Sequence, residues 1–159
     1  MGAIVAESAP SRKTARLDSV SLLWRAERVL GARIVDAVVE AGHDIRPRYS
    51  VVFAQLAIAP ARVTDLARVA GMSPQGMTEL VDEMERRHFT RREPDPSDRR
   101  AKLIVLTGAG ESAARAGGAA ITSIEASLDA LLGRAGHREL RSALEQIIAA
   151  QPGRAAVLP

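Results

Sequence analysis

The sequence predicts a mainly α-helical chain that carries one small β-hairpin. Aromatics make up only 3% of the 159 residues, so the core must be built mainly from Ala, Leu, Val and Ile, and Ala and Leu head the helix scale. Apolar residues recur at three- and four-residue spacing over most of the chain, the period of a helix with one buried side. The exception is the stretch 89–106, where two short runs flank the turn-rich segment EPDPSDRR.

Composition narrows the function classes. There is no cysteine, which excludes disulfides, thiolate metal sites and thiol redox switching. His43, His88 and His137 are widely scattered, so neither a metal site nor a cofactor is expected. No apolar run approaches the ~18 residues of a membrane helix, and the first residues do not read as a secretory signal. A cytoplasmic protein that does not engage membranes is expected. Net charge is +3, but its placement is uneven. Arg86, Arg87, Arg91, Arg92, Arg99, Arg100 and Lys102 face only Glu93, Asp95 and Asp98 in the same stretch, an excess of four. A concentrated basic segment suits a polyanionic partner, although a charge run can equally be a solvated surface.

The elements follow in order. Residues 1–16 have no period and read as a flexible arm. A long helix begins near Leu17, with Val20, Leu23, Leu30, Ile34, Ala37 and Ala41 on one stripe and Gly42 as its stop. A stripe that long exceeds what a small domain needs and suits packing against a second chain. Pro47 can open a second helix bearing Val51, Val52, Phe53, Leu56 and Ile58, ended by Pro60. Thr64 is a suitable N-cap for a short helix with Leu66, Ala67 and Val69, stopped by Gly71. Ser73 caps the next helix and Pro74 takes its first position, an arrangement that satisfies free N–H groups without needing one from proline. Met77, Leu80, Val81 and Met84 form its apolar side; Gln75, Gly76, Thr78, Glu79, Asp82 and Glu83 lie opposite.

Two short helices around a glycine turn make a helix-turn-helix. A strand over Phe89–Glu93, the loop EPDPSDRR and a strand over Lys102–Leu106 would add a β-wing. Thr107 can cap a helix to about Leu132, with Ile121, Ile124, Leu128 and Leu131 or Leu132 inward and Gly117-Gly118 interrupting it. Mid-helix glycines cost about 1 kcal/mol each, which predicts a kink there or close packing against another helix. A last helix carries Leu140, Leu144, Ile147 and Ile148, and residues 151–159 read as a tail. The domain plan is a winged helix-turn-helix over 46–106 and a helical region from 17–44 and 107–150.

With these residues in place the chain resembles the MarR family of bacterial regulators from about Leu17 to Ala150. VTDLARVAGMSPQGMTELVDEME is similar to the family's helix pair, and DPSDRRAKLIVLTGAG to its wing and exit. Two positions depart from the pattern: Glu79 stands where a basic residue is frequent, and His88 where glycine is common. The resemblance implies a transcription regulator, by family habit a repressor, associated with the bacterial nucleoid and binding double-stranded DNA as a homodimer. The helical region would interleave between the two chains, and a two-fold dimer reads a near-palindromic site.

On that reading the recognition helix 73–88 lies in the major groove and the wing 90–106 reaches the minor groove. Gln75 can pair bidentately with adenine, and a glutamate such as Glu79 can accept from cytosine or repel phosphate. Thr78 suits a thymine methyl or a phosphate; Ser73 with Pro74 caps or faces phosphate, and Thr64 joins the contact set. Arg99 and Arg100 at the wing tip suit the negative minor groove, with Asp98 to orient them; Arg86, Arg91 and Arg92 would meet phosphates. The resemblance further implies release by a small aromatic or anionic effector, with Trp24, Arg25, Tyr49 and Phe53 as candidates. Two rival readings stand beside it. One is a winged-helix interaction module without DNA binding. The other is a dinucleotide-binding enzyme, because LIVLTGAGESAA places Gly108 and Gly110 after a strand and before a helix. On the main reading there is no catalytic residue.

Overall fold

A computed structural model describes residues 17–150, except the side chain of Arg99. The expected arm at 1–16 and tail at 151–159 lie outside the described residues. The chain is mainly helical with one two-stranded antiparallel sheet, as expected from its periodicity.

Helix α1 spans Ser19–Glu40. Its N-cap is Asp18, whose carboxylate accepts from the Ser21 N–H at 2.8 Å and the Ser21 hydroxyl at 2.9 Å. Gly42 follows its end at φ +90°, a left-handed conformation that glycine adopts without steric cost. Only the last turns of α1 are covered: Val38 is buried, while Val20, Leu22, Leu23, Trp24 and Val29 are exposed. A 3₁₀ turn at Pro47–Tyr49 leads into α2, Ser50–Leu56.

Helix α3 spans Val63–Ala70 and α4 spans Pro74–Arg86. Gly71 at φ +62° makes the turn between them. Ser73 caps α4 as expected, accepting from the Gly76 N–H at 3.1 Å. The cap expected at Thr64 is not formed. The N-cap of α3 is Arg62, and Thr64 lies inside the helix, exposed. The cause is long-range: Ala61 forms a two-way bridge with Ile104, at 3.2 and 2.8 Å, and this fixes where the chain turns into the helix.

The wing is a tighter hairpin than expected. Strands β1 (Thr90–Asp95) and β2 (Asp98–Leu106) pair from Thr90 opposite Leu106 to Pro94 opposite Lys102; the register then shifts, Asp95 faces Asp98, and Pro96 and Ser97 form the turn. Most of EPDPSDRR is therefore strand. His88, just before β1, has φ +61°. For a non-glycine residue that conformation costs roughly 1–2 kcal/mol, and three neighbouring contacts hold it. Its carbonyl accepts from the Thr107 hydroxyl, its own N–H reaches Glu85 O at 2.9 Å, and the Phe89 N–H reaches Met84 O at 2.9 Å.

Helix α5 runs Gly108–Ala149 with one non-helical residue, Gly133 (φ 70°, ψ 156°). The interruption expected at Gly117-Gly118 does not occur. Gly117 faces α1: a Cβ there would sit 3.7 Å from Val38 and 3.9 Å from Ile34, in ordinary van der Waals contact. The change of direction at Gly133 is sharp. Asp129 and His137, eight residues apart, meet at 2.8 Å, where a straight helix would separate them by about 12 Å along its axis. Of the residues expected inward on this helix, Ile124 is buried and Leu128 half-buried, while Ile121 and Leu131 are exposed.

One core joins these elements. Tyr49, Val52, Phe53 and Leu56 pack with Leu66 and Ala67, with Met77, Leu80, Val81 and Met84, and with Phe89 and Ile104. Each of the four α4 side chains contributes about 1.5–3 kcal/mol by burial. Tyr49, Phe53 and Phe89 meet edge to face, their ring centroids 5.6 to 6.5 Å apart.

Candidate nucleic-acid interface

Burying Met77, Leu80, Val81 and Met84 turns the opposite side of α4 outward. Gln75, Thr78, Glu79 and Arg86 are all exposed there. At 100° per residue, Gln75, Glu79 and Arg86 fall on one line along the helix. The Thr78 hydroxyl donates to Pro74 O at 2.8 Å, so its methyl group is left as the outward feature. Gln75 Nε2 donates to Glu79 Oε1 at 3.2 Å. A Cβ on Gly76 would lie 3.2 Å from Ser73 Oγ; the glycine leaves room for the cap.

The wing is fastened to the helices by arginines that sequence reasoning did not single out or placed elsewhere. Arg62 donates to Asp95 from Nε at 2.8 Å and from its terminal nitrogen at 2.5 Å. Asp95 is buried and also accepts from the Ser97 N–H at 2.8 Å and the Ser97 hydroxyl at 2.6 Å. These bonds favour the ionised carboxyl, those from Ser97 most, and hold Asp95 at about 2. Because the folded carboxyl titrates below the ordinary 3.8, the stability it adds is present above about pH 4 and lost as pH falls towards 2. In urea titrations the gap between wild type and Asp95→Asn is expected to be widest at neutral pH and to shrink through that acid window. A gap independent of pH would contradict the wing anchor.

Arg92, expected at phosphate, instead bridges the wing to α4, reaching Asp82 at 2.6 Å and also pairing with Glu85. Neighbouring strand residues face opposite ways. Arg91 therefore turns to the other side, where it pairs with Glu93 at 2.7 Å and donates to Leu106 O at 3.2 Å. Glu83 is surrounded as well: Arg46 lies at 3.0 Å, Arg48 pairs with it, and the Tyr49 hydroxyl donates at 2.6 Å. The tyrosine bond, followed by the arginines, lowers the carboxyl's pKa; burial and the same bond raise that of Tyr49. Arg87 pairs with Asp44.

The basic cluster is thus largely spent on structure. Among the described residues, Arg86, Arg100 and Lys102 are exposed and have no ion-pair partner. Arg100 lies in β2 just past the turn, in the stretch where the strand register shifts. Asp98 accepts from its backbone N–H at 3.0 Å, so the carboxylate orders the tip through the main chain and leaves the guanidinium outward. Arg99 occupies the adjoining strand position.

Residues 57–102, from the end of α2 to the middle of β2, match the MarR family model. The winged helix of this chain is therefore similar to that of the MarR family. Among solved structures, the MarR-type fold extends over most of the chain. A transcriptional regulator of the MarR family from Rhodococcus sp. RHA1 is 25% identical, covering 79% of this chain and 90% of that one at TM-score 0.62. The transcriptional repressor CouR, bound to a 23-mer DNA duplex, is 24% identical over 89% and 99% of the two chains at TM-score 0.69. A MarR family protein of Mycobacterium tuberculosis in complex with salicylic acid is 24% identical over 84% and 98%, at TM-score 0.62. No curated protein sequence matches the chain.

The relatives of this MarR-type fold are regulators and not enzymes, and the glycines of LTGAG have a structural reason. A Cβ on Gly110 would lie 2.0 Å from Phe89 O, so the residue is required where α5 crosses the root of the wing. The described chain after it stays helical to Ala149, so the described residues hold no second parallel strand for a dinucleotide fold.

Two expected effector residues are not available. Tyr49 is fully buried and Phe53 nearly so, both in the core. Trp24 and Arg25 line a shallow cleft on α1 with Leu17, Ser21 and Arg28. A larger open groove of about 460 Å³ lies between α2, the wing and the first turns of α5. Arg91 and Arg115 line it beside Leu56, Pro60, Val105 and Leu106. Arg115 sits amid GESAARAGG, with no local signal to mark it.

Proposed function

We propose that the chain is a dimeric, sequence-specific repressor that binds double-stranded DNA in the cytoplasm, at the nucleoid. The single observation that carries this reading is the exposed Arg100, in β2 just past the two-residue turn, beside an outward polar stripe on α4 within a domain that matches the MarR family model. The N-terminal half of α4 enters the major groove with Ser73, Pro74, Gln75 and Thr78, while Arg100 and Arg99 follow the wing into the minor groove. Thr64 and Arg86 face phosphates. The exposed apolar side of α1, with Leu140, Ile147 and Ile148 of α5, packs against a second copy. The operator is then near-palindromic, with half-sites about 34–36 Å apart.

An effector fits this scheme at the groove of Arg91 and Arg115. Their guanidinium groups, paired here with Glu93 and Glu111, stand over apolar walls and would exchange those partners for a small aromatic carboxylate, the class to which the ligand of the M. tuberculosis relative belongs. The described helices include none long and apolar enough to cross a membrane.

The test is a gel-shift titration of the protein against the DNA upstream of its own coding sequence. A complex of two chains per site is expected, outcompeting unrelated DNA and weakening steeply with salt as phosphate contacts release counterions. The absence of a complex, or one indifferent to sequence, would overturn the reading.

A further inference from the structure

Helix α4 carries four acidic residues, which is unexpected in an element that approaches DNA. Three of them are neutralised within the fold. Arg92 holds Asp82 and Glu85, and Arg46, Arg48 and Tyr49 hold Glu83. Glu79 differs. Among the described residues it has no cationic partner, it is exposed, and its bond is to Gln75 Nε2 at 3.2 Å. Both side chains lie on the outward line of the helix, in the half that meets base edges in such folds.

We propose that Glu79, steadied by Gln75, is a specificity determinant that selects cytosine at one position of each half-site, an inference that rests on the DNA-binding reading above. The donors and acceptors decide the base. Gln75 spends one amide hydrogen on Glu79, so the pair presents the carboxylate, the amide oxygen and one remaining N–H. That surface is rich in acceptors. In the major groove cytosine offers only its N4 amine donor, adenine an N6 amine donor beside its N7 acceptor, guanine two acceptors, and thymine an acceptor and a methyl. A carboxylate therefore fits cytosine best: adenine sets the N7 acceptor beside its amine, a pair that suits an amide, and guanine O6 and N7 repel the charge. The same charge repels phosphate, so Glu79 lowers affinity for DNA without the matching base. Gln75 keeps its carbonyl and second N–H for the neighbouring base pair.

The test is selection of random duplexes by the full-length protein, wild type against Glu79→Gln and Glu79→Ala, followed by affinity measurements on the selected site. The wild type is expected to select one symmetric cytosine per half-site and to lose about tenfold to hundredfold in affinity when that C·G pair is inverted. Both variants should keep the half-site spacing, lose the preference at that position and bind unrelated DNA more tightly. Circular dichroism confirms that these exposed substitutions leave the fold intact. If the wild type selects a site but the variants select the same one equally sharply, or if the sensitive position is not cytosine, the inference is overturned while the DNA-binding reading stands. If the wild type selects no sequence at all, both fall.

Discussion

Arg100→Ala is expected to weaken operator binding by about tenfold to hundredfold, or about 1–3 kcal/mol, with the melting temperature unchanged. The guanidinium has no described ion-pair partner, and the tip is ordered by Asp98 through the Arg100 main chain, so truncation leaves the hairpin intact. Loss of the cation removes both the long-range attraction and any insertion into a narrow minor groove. Arg92→Ala should behave in the opposite way. It releases Asp82 and Glu85 on α4, lowering stability and affinity together. Quantitative gel shifts paired with thermal melts separate the two. An Arg100→Ala protein that binds as tightly as wild type would show that the wing is not a DNA anchor.

Gly110→Ala is expected to cost more than about 3 kcal/mol, beyond the usual 1–3 kcal/mol of an overpacked site and a large share of a typical domain's stability. The added carbon would lie 2.0 Å from the Phe89 carbonyl oxygen and 3.1 Å from Leu106 Cδ2. The first obstacle is backbone, so no side-chain rotation relieves it; α5 must lift from the wing root, breaking the bond from Thr107 N to Phe89 O. Gly118→Ala is the internal control. Nothing lies within 4 Å of its added carbon, and the same change in a helix interior gains up to about 1 kcal/mol. Urea unfolding of the two variants should shift in opposite directions. Equal shifts would rule out the described crossing of α5 over β1.

Local chemistry made part of this architecture legible in advance. Ser73-Pro74 marks the start of α4 because capping depends on neighbours three residues away, and Gly71 marks the preceding turn for the same reason. The wing's existence was legible in its flanking strands, its length was not. Pro94, Asp95 and Asp98 have turn chemistry, yet they pair as strand because Arg62, far back in the chain, grips Asp95. Thr64 has the chemistry of a cap, but the Ala61–Ile104 bridge shifts the helix start by two residues. The pairing of the basic cluster was not legible, for one reason: a run of arginines does not show which are already paired. Arg91 and Arg92 read alike in sequence, but strand alternation sends one to the groove and the other to α4. Tyr49 and Phe53 show the same limit. An aromatic on an apolar stripe can line a cleft or fill a core, and only the packing of Phe89 between them decides for the core.

The crossing at Gly110 and the reversal at Gly133 bound a single helical rod about 35 Å long. One end is pinned to the wing root; the other carries the turn that presents Leu140, Ile147 and Ile148. Glu111 and Arg115, on the groove, lie within the first two turns of that rod. The leverage is unequal: a tilt of about 5° around Gly110 barely moves the groove wall yet carries the far end through about 3 Å. In the dimer proposed above, the distance between the two α4 helices would then be geared to the smallest displacements near the wing root, without any residue of α4 having to move relative to its own core.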